Sequence, residues 1–325
     1  MFSINRRELI ALAGATACPI AARGQQPVMP VVGYLHPSTP DVYSLNGLRQ
    51  GLKDAGFIEG QNLTIEYRWA NNEPDRLPEL AADLVRRRVA VIVVRSTRAA
   101  LTAKTATAII PIVFGFGADP VEIGLVASIN RPGGNVTGAT SMSGELGGKQ
   151  LGLLHELVPN AGRFAVLMSP LTAGVAMVNN NMRAAAAVLG LQIEFFNTAT
   201  PLEIDAAFAR LVQDRFDALI VNADAFFIDR RLQLVTLAAR HAIPTLYPFR
   251  QFTDVGGLMV YGPNLMERDR QVGLYAGRIL KGEKPAELPI MRATKFDFII
   301  NRQTARTLGI EVPPTLLAIA DEVIE

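Results

Sequence analysis

Short apolar runs alternate with amphipathic segments along most of the chain, and this alternation most constrains its fold. Residues 31–35 form an apolar run, and residues 89–94 form a β-branched run typical of a parallel strand buried on both faces. Residues 43–55 carry apolar side chains at helical spacing and end before Gly56. Strands and helices that alternate in this way predict a parallel sheet with helices on both faces.

The pattern occurs twice, which predicts two α/β lobes. The first set comprises strands at 31–35, 63–69, 89–94 and 110–114, with helices at 43–55, 77–88 and 99–108. The second comprises strands at 164–168, 191–196, 218–221, 244–247, 257–261 and 296–301, with helices at 144–158, 173–189, 202–213, 229–241 and 265–281 and a last helix that stops at Gly309. About 300 residues suffice for two domains that each bury a core.

Residues 1–24 have the order of a secretory signal peptide. Arg6 and Arg7 precede a short apolar segment, and Ala22 and Gly24 are the small residues that a signal peptidase reads. The apolar segment is too short to span a bilayer. We therefore expect export to the periplasm with cleavage after Gly24, by either the twin-arginine or the general secretion route. The alternative is an amphipathic first helix of the fold.

Cys18 is the only cysteine of the chain and lies inside the predicted signal. The residues before it, Ala15-Thr16-Ala17, match a lipoprotein signal poorly, so a lipid anchor on Cys18 is the second choice. A mature chain without a thiol would have no cysteine nucleophile, no cysteine-bound zinc and no disulfide.

Removal of the signal makes the chain formally neutral. The full chain has 32 Lys and Arg against 30 Asp and Glu. The signal contains Arg6, Arg7, Arg23 and Glu8, which leaves 29 basic and 29 acidic residues. Nucleic-acid-binding and membrane-surface proteins need a concentrated positive face, so this balance argues against both kinds of partner.

The sequence lacks the motifs of common enzyme classes. His36, His155 and His241 show no metal-binding spacing, and no Gly-x-Ser-x-Gly segment marks a nucleophile. No Gly-x-Gly-x-x-Gly follows the first strand and no Walker loop occurs, so we expect neither a nucleotide cofactor nor a metal. An enzyme remains an alternative only as an unrecognised chemistry in a cleft.

A turn-rich segment separates the two sets of elements. Asp119-Pro120 follows an apolar run and predicts a turn at the carboxyl end of a strand, where open α/β sheets bind ligands. A short helix is expected next, and Pro132-Gly133-Gly134 then breaks the chain before a strand begins at Val136. This order predicts the first crossover between two lobes.

Three segments together resemble the substrate-binding proteins of a subfamily of ABC importers that includes tryptophan- and tyrosine-binding members. They are DPVEIGLVASINRPGGNVTG (119–138), ILKGEKPAELP (279–289) and INRQTARTLGI (300–310). The resemblance covers residues 28–312. It implies a type I periplasmic binding-protein fold, in which two Rossmann-like lobes with parallel sheets are joined by three crossings, here near Gly138, Gly262 and Pro289.

The resemblance also implies domains and a function. The N-terminal lobe would comprise residues 28–138 and 263–289, and the C-terminal lobe residues 139–262 and 290–325. The protein would be a monomeric, exported receptor that captures a small molecule between hinged lobes and delivers it to an ABC permease in the inner membrane. An amino acid or related small carboxylate is the expected ligand, without a cofactor and without chemistry on it.

Two other functions use the same fold. A sugar-repressor-like regulator would carry a DNA-binding module ahead of its lobes, where this chain has an export signal. A periplasmic sensor that hands its signal to a membrane receptor remains an alternative to transport.

Ligands of open α/β sheets lie beyond the carboxyl ends of the strands, so the candidate site residues follow the predicted strand ends. The expected ligand-binding residues are Tyr34, His36, Ser96, Thr97, Phe116, Asp119, Asn222, Asp224 and Tyr261, with Arg95, Arg98, Ser169 and Thr172 beside them. Thr97, Asp119 and Tyr261 are the strongest candidates. The structural alternatives are a helix cap at Ser96 or Thr97, an Asx turn at Asp119 and a loop-holding role for Asn222.

The resemblance refines one part of this site. Family members commonly have a Gly-Thr-Pro-like turn where this chain has Ser96-Thr97-Arg98, so Thr97 matches, Arg98 replaces the proline and Arg95 adds a second cation. A guanidinium beside a helix N-terminus favours an anion such as a carboxylate. Asp119 would then pair with an α-ammonium, which makes a zwitterionic amino acid the leading ligand. The alternative is that Arg98 points to solvent.

Overall fold

The computed structural model describes residues 29–40, 42–170 and 175–325 of the chain. The predicted signal peptide, with Arg6, Arg7 and Cys18, lies outside the described residues, as does Thr172. The described residues form two sheets covered by helices, as the alternation of apolar and amphipathic segments predicts.

Thirteen strands are present in the described part of the chain, and they divide between the two sheets. In chain order the strands are β1 (Val31–His36), β2 (Thr64–Trp69), β3 (Val91–Val94), β4 (Ile112–Phe116), β5 (Val136–Thr140), β6 (Arg163–Met168), β7 (Gln192–Asn197), β8 (Ala218–Val221), β9 (Thr245–Tyr247), β10 (Met259–Pro263), β11 (Met291–Arg292), β12 (Phe296–Asn301) and β13 (Glu322–Ile324). The first sheet has the order β11-β5-β4-β3-β1-β2 and is parallel throughout. The second has the order β13-β12-β10-β9-β8-β6-β7, with β10 and β12 antiparallel.

Eleven α-helices connect these strands within the described ranges. They are α1 (Val42–Asp54), α2 (Leu77–Arg86), α3 (Thr97–Ala106), α4 (Gly147–Leu157), α5 (Val175–Leu189), α6 (Pro201–Gln213), α7 (Ala225–Asp229), α8 (Arg231–Arg240), α9 (Leu265–Leu280), α10 (Arg302–Thr307) and α11 (Pro314–Ile319). No helix in the described ranges is long and apolar enough to cross a membrane.

Each sheet has an apolar cluster on both faces, which explains its sequence pattern. All four residues of β3 are fully buried, Ile92 and Val94 against α2 and α3, and Val91 and Val93 on the opposite face with α1 and α9. A strand covered on both faces has no solvent-exposed face, so its sequence is a continuous run of β-branched residues. Because the strands of such a sheet run parallel, their carboxyl ends lie at one edge of the sheet, where a site can form.

The chain passes between the sheets three times. The first passage follows β5, the second lies at Asn264 between β10 and α9, and the third lies between β11 and β12. The crossings were expected near Gly138, Gly262 and Pro289, which is a few residues before these passages. Gly138 and Gly262 are still inside paired strands, β5 and β10, and Pro289 precedes β11, which still pairs with β5 of the first sheet. We propose to place the lobe boundaries at the three passages.

Helices α1 and α9 pack with their backbones in contact. A Cβ atom at Gly51 would lie 1.8 Å from the carbonyl oxygen of Arg270, and a Cβ atom at Gly273 would lie 2.2 Å from that of Leu48. Only glycine permits so close an approach, because any larger side chain would overlap the opposite backbone. The contact fixes the position of α9, whose first turns reach the edge of the first sheet where the strands end.

Two expectations about local structure are wrong. The segment 119–128 forms turns and bends instead of the expected short helix. Its turns are held by backbone hydrogen bonds such as those from Leu125 N and Val126 N to the carbonyl oxygen of Pro120, and Lys104 Nζ donates to the carbonyl oxygens of Gly124 and Leu125. The chain also continues beyond Gly309 into α11 and β13, which the sequence pattern did not predict.

Candidate functional site

A cavity of about 260 Å³ lies between the two lobes. Residues just after β1, β3 and β4 line it from the first lobe, and residues just after β6 and β8 line it from the second. Helix α9 and the first passage between the lobes add further lining residues. The cavity thus lies where open α/β sheets bind ligands, beyond the carboxyl ends of their strands.

Most of the candidate residues meet at this cavity. The structure brings together His36, Ser96, Thr97, Phe116, Asp119, Asn222 and Asp224, with Arg95, Arg98 and Ser169 among the lining residues. Tyr34 and Tyr261 are absent from the lining, so these two expectations need correction.

Tyr34 lies one layer below the cavity. Its side chain is fully buried, and its ring packs against the rings of Tyr67 and Trp69 at centroid distances of 5.8 and 5.1 Å. Alternate residues of a strand share a face, so His36 stacks on Tyr34 and takes the position at the strand end. Tyr34 supports His36 instead of reaching the cavity.

Tyr261 packs inside the second lobe. Its ring stacks on Phe296 and meets the edge of Phe298, both on β12. Its carbonyl oxygen accepts a hydrogen bond from Gln150 Nε2 at 2.9 Å. The antiparallel pairing of β10 with β12 directs Tyr261 to this aromatic cluster and away from the cavity.

Three candidate side chains at the cavity wall accept hydrogen bonds from nearby backbone amides. Ser96 Oγ caps α3 by accepting from Ala99 N at 3.1 Å. Asp119 Oδ1 accepts from Val121 N at 2.8 Å, which is the Asx turn that the sequence allowed as an alternative. Asp224 Oδ1 caps α7 by accepting from Phe226 N at 2.8 Å. These bonds fix the orientation of the three side chains.

A buried charged cluster forms part of the first lobe's wall. It comprises Arg95, Arg268 and Asp269, which are 9%, 7% and 1% exposed, and both arginines line the cavity. Arg268 Nε and Nη2 lie 3.3 and 3.2 Å from Asp269 Oδ1, and Arg95 forms an ion pair with the same oxygen. Both guanidinium groups thus contact the same carboxylate oxygen.

Burial lowers the pKa of Arg268 well below its usual value, and the neighbouring charge of Arg95 lowers it further. The lowered pKa of Arg268 reflects the burial of two cations, Arg95 and Arg268, next to each other. Arginine nevertheless stays protonated in proteins, so both guanidinium groups remain cations at the cavity wall.

His36 is neutral beside this cluster. Burial lowers its pKa well below 6.5, and the charges of Arg95 and Arg268 lower it further. Its Nδ1 atom accepts a hydrogen bond from Ser38 N at 3.0 Å, which assigns the proton to Nε2. His36 therefore supplies an N–H donor, so the first wall offers donors and positive charge together.

Arg98 takes a different direction from Arg95. Its Nη2 lies 2.7 Å from Asp75 Oδ1, and its side chain is 47% exposed. The solvent-facing alternative thus describes Arg98 better, although the residue lies at the rim of the cavity. Of the two cations expected beside Thr97, Arg95 is the buried one.

The wall from the second lobe has a different character. Asn222 follows β8, and α7 contributes Asp224, Phe226 and Asp229. Phe249, after β9, adds a second aromatic ring. This wall combines carboxylates with aromatic surface. Across the described ranges no three His, Cys, Asp or Glu side chains gather closely enough to hold a metal ion.

The sequence-based analysis missed Arg268 and Asp269, although a signal for them exists. Leu265, Val272 and Ala276 mark the buried stripe of α9 at positions i, i+7 and i+11. Arg268 and Asp269 occupy positions i+3 and i+4 of the same stripe. Charged residues in an apolar stripe need partners or a function, so this pattern could have identified them.

Residues 32–324 match the family model described as ABC transporter substrate binding protein. The chain belongs to this family. The tyrosine-binding protein of Clostridioides difficile (strain R20291) is 26% identical to it over 276 residues, which cover 85% of this chain and 79% of that protein. The resemblance noted in the sequence is therefore confirmed.

Solved structures of similar chains share the two-lobed fold. A conserved domain protein from Vibrio cholerae superposes with a TM-score of 0.84 at 25% identity, and an ABC domain in complex with L-Trp from Streptococcus pneumonia with 0.81 at 24%. The ligand-free, open structure of a substrate binding protein with adhesive properties from Clostridium difficile superposes with 0.66 at 24%. Each covers 91% of this chain and 99% of its own. The predicted type I periplasmic binding-protein fold is confirmed.

Proposed function

We propose that this substrate-binding protein is an exported receptor that captures an amino acid or a related small carboxylate between its lobes. It delivers that ligand to an ABC permease in the inner membrane, acts as a monomer and performs no chemistry. The observation that carries the proposal is the cavity itself, because two buried arginines line it from the first lobe, and carboxylates and aromatic rings line it from the second. A ligand with an acid, an amine and an apolar side chain complements all three features.

The size of the cavity supports a small ligand. Its volume of about 260 Å³ lies slightly below the range of sites for drug-sized molecules, which is roughly 300–1,000 Å³. Phe226 and Phe249 offer aromatic surface for a side chain that packs by stacking. The names of two relatives, which mention tyrosine and L-Trp, favour aromatic amino acids for this receptor as well.

The arrangement of the lobes supports a hinge mechanism. The structure superposes better on the L-Trp complex than on the ligand-free, open structure, with TM-scores of 0.81 and 0.66. Three short passages connect the lobes, so a rotation can be confined to a few residues. In this mechanism the ligand stabilises the closed state, and the permease recognises that state.

A thermal-shift screen of the protein from Gln25 onward tests the proposal. Amino acids and small carboxylates are added singly, and a ligand at about 100 times its Kd raises the free energy of unfolding by about 2.7 kcal/mol. Small-angle scattering with a ligand found in this way should show a smaller radius of gyration. The N-terminus of protein from the periplasm should be Gln25.

Matched variants locate the binding. Ala223→Phe adds a ring to the cavity wall and should abolish the thermal shift. Val188→Phe adds the same ring to the outer surface of α5, where Val188 is 86% exposed, and should leave the shift intact. No shift with any amino acid or small carboxylate, or an equal shift in Ala223→Phe, would refute the proposal.

A further inference from the structure

Met142, in the first passage between the lobes, has a left-handed backbone conformation, with φ of 46° and ψ of 42°. Residues other than glycine rarely occupy this region, because their Cβ atom crowds the following carbonyl oxygen. Other non-glycine residues of the described ranges with a positive φ are the asparagines Asn71 and Asn72, and Arg88, Arg215 and Ala242, each of which follows a helix C-cap. Both settings favour this conformation. Met142 follows a strand instead, so its backbone is strained.

Hydrogen bonds within the first lobe hold Met142 in this conformation. Its backbone N donates to Thr140 Oγ1 at 3.1 Å, and Ser143 N donates to the carbonyl oxygen of Gly117 at 2.8 Å. Gly117 directly follows β4 and lines the cavity. A Cβ atom at Gly117 would lie 2.5 Å from Ser143 Oγ, so this close contact depends on the glycine. A strained residue persists where such contacts outweigh its cost.

The next residue of the passage contacts the second lobe. Gly144 packs against α5, since a Cβ atom at Gly144 would lie 3.1 Å from Val178 Cγ2. Neighbouring residues thus contact the end of β4 in one lobe and α5 in the other. When the lobes rotate apart, one of these contacts has to open. Loss of the bond from Ser143 N to Gly117 would let Met142 return to an ordinary backbone conformation, so the strain favours this way of opening.

The other two passages are bonded to each other. Asn264 N, in the second passage, donates to the carbonyl oxygen of Lys295 in the third at 3.0 Å, and Asn264 Nδ2 donates to Asp297 Oδ1 at 2.8 Å. Asn264 and residues 292–297 are all described, and none of them has a positive φ. Among the three passages, the left-handed strain is therefore confined to the first.

We propose that Met142 is a strained hinge residue, whose left-handed conformation forms as the lobes close, so that the first passage favours the open state and lowers the affinity for every ligand. This inference rests on the hinge mechanism of the proposed function. The structure, in which Met142 is strained, superposes better on the L-Trp complex than on the ligand-free, open structure. Met142 also lines the cavity, so a bound ligand packs where the strain is held. Binding then compensates for the strain, and the empty receptor opens.

Two fluorescent labels measure the ratio of closed to open molecules without a ligand. The chain from Gln25 onward contains no cysteine, so Asp75→Cys and Leu202→Cys give one label on each lobe. The Asp75 side chain is 96% exposed beside Arg98 at the cavity rim, and Leu202 is 79% exposed in the first turn of α6, near Ala199 on the cavity wall. Single-molecule energy transfer between the labels then counts closed and open molecules.

Four substitutions of Met142 separate its backbone from its side chain. Met142→Gly should raise the closed-to-open ratio roughly fivefold over Met142→Ala, which corresponds to about 1 kcal/mol, because glycine removes the strain and alanine keeps it. Met142→Asn should lie between them, and Met142→Val should lower the ratio, since a β-branched residue fits the left-handed region worst. Equal ratios in Met142→Gly and Met142→Ala would overturn the inference.

Ala293→Gly is the matched control for flexibility. It adds a glycine to the third passage, where φ is not positive, and should leave the closed-to-open ratio within about twofold of wild type. An increase equal to that in Met142→Gly would show that flexibility, and not strain, controls closure. Urea denaturation shows whether each variant is folded.

Calorimetry with L-tyrosine and L-tryptophan separates this inference from the proposed function. Whichever of the two binds the wild-type protein should bind Met142→Gly roughly fivefold more tightly than Met142→Ala. If no amino acid binds, but the closed-to-open ratio still falls in the order glycine, asparagine, alanine, valine, the amino-acid receptor is contradicted and the strained hinge is supported. Amino acids that bind both variants equally, at equal closed-to-open ratios, would support the receptor and contradict the hinge.

Discussion

The two walls of the cavity differ in how their charges are held. On the first lobe, Arg95, Arg268 and Asp269 are buried and bonded to one another, with neutral His36 beside them. On the second lobe, Asp224 lies at the start of a five-residue helix, among aromatic rings. The difference teaches that the charges of one wall are held by bonds between distant segments, whereas those of the other are held within a short local helix.

The difference also has an origin in the fold. α9 belongs to the first lobe although it follows β10 of the second sheet in sequence, and its glycine contact with α1 fixes it there. The buried charged cluster thus depends on a crossing of the chain, whereas the second wall is formed mainly by residues after β8 and in α7. Changes that move α9 should affect the first wall most.

The largest expected effect is the removal of Asp269. Asp269→Ala leaves two buried guanidinium groups without their shared partner, so we expect a loss of about 3–5 kcal/mol in the free energy of unfolding. Urea denaturation measures it. Asp75→Ala is the control, because the Asp75 side chain is 96% exposed and forms an ion pair with Arg98 at the surface. Equal stability of the two variants would show that Asp269 does not balance the cluster.

The next effect concerns the support of the first wall. Gly273→Ala places a methyl group 2.2 Å from the carbonyl oxygen of Leu48 and should cost about 1–3 kcal/mol by forcing α1 and α9 apart. Gly152→Ala in α4 is the matched control, since nothing lies within 4 Å of the added methyl group. Thermal denaturation of both variants checks the prediction, and Gly273→Ala as stable as Gly152→Ala contradicts it.

A smaller effect follows from the lowered pKa of His36. As the pH falls below about 6.5, the unfolded chain binds a proton at this histidine while the folded protein does not, because burial and the two arginines keep it neutral. Stability should therefore fall with decreasing pH by up to about 1.4 kcal/mol per pH unit from this group. His36→Asn keeps an acceptor for Ser38 N and should remove this component. An unchanged slope in His36→Asn would contradict a neutral, buried histidine.

The smallest effect concerns a contact between the lobes outside the cavity. Tyr43 on α1 hydrogen-bonds to Arg250 of the second lobe, whose guanidinium also binds Glu322 at 2.6 and 3.1 Å. Tyr43→Phe should weaken closure and reduce ligand affinity by about 1 kcal/mol, or roughly fivefold. Tyr67→Phe is the control, since its hydroxyl bonds Glu59 within the first lobe. Equal affinities of the two variants would show that this contact does not stabilise the closed state.

Much of the fold follows from the sequence, because buried parallel strands leave a direct pattern. The β-branched residues of β3 identify a strand covered on both faces. Strand ends then located His36, Ser96 and Asn222 at one cavity, since all parallel strands of a sheet end at the same edge.

The predictions about the site that failed concern residues whose positions depend on contacts between distant segments of the chain. Tyr34 and Tyr261 follow the same rule of strand ends, but their rings pack against Trp69 and Phe296, which no local pattern reveals. Arg268 and Asp269 reach the site only because α9 crosses back to the first lobe. Their charges in an apolar stripe were visible, but their partner Arg95 lies far away in sequence.

A crystal structure of the protein with a bound acid from the screen tests the central claim most directly. We expect the ligand to lie in the cavity between the lobes, with its carboxylate oxygens within about 3 Å of the guanidinium nitrogens of Arg268 and Arg95. We also expect any ligand amine on the side of Asp224 and Asp229. A carboxylate bound to the second lobe, or directed to solvent, would contradict this expectation.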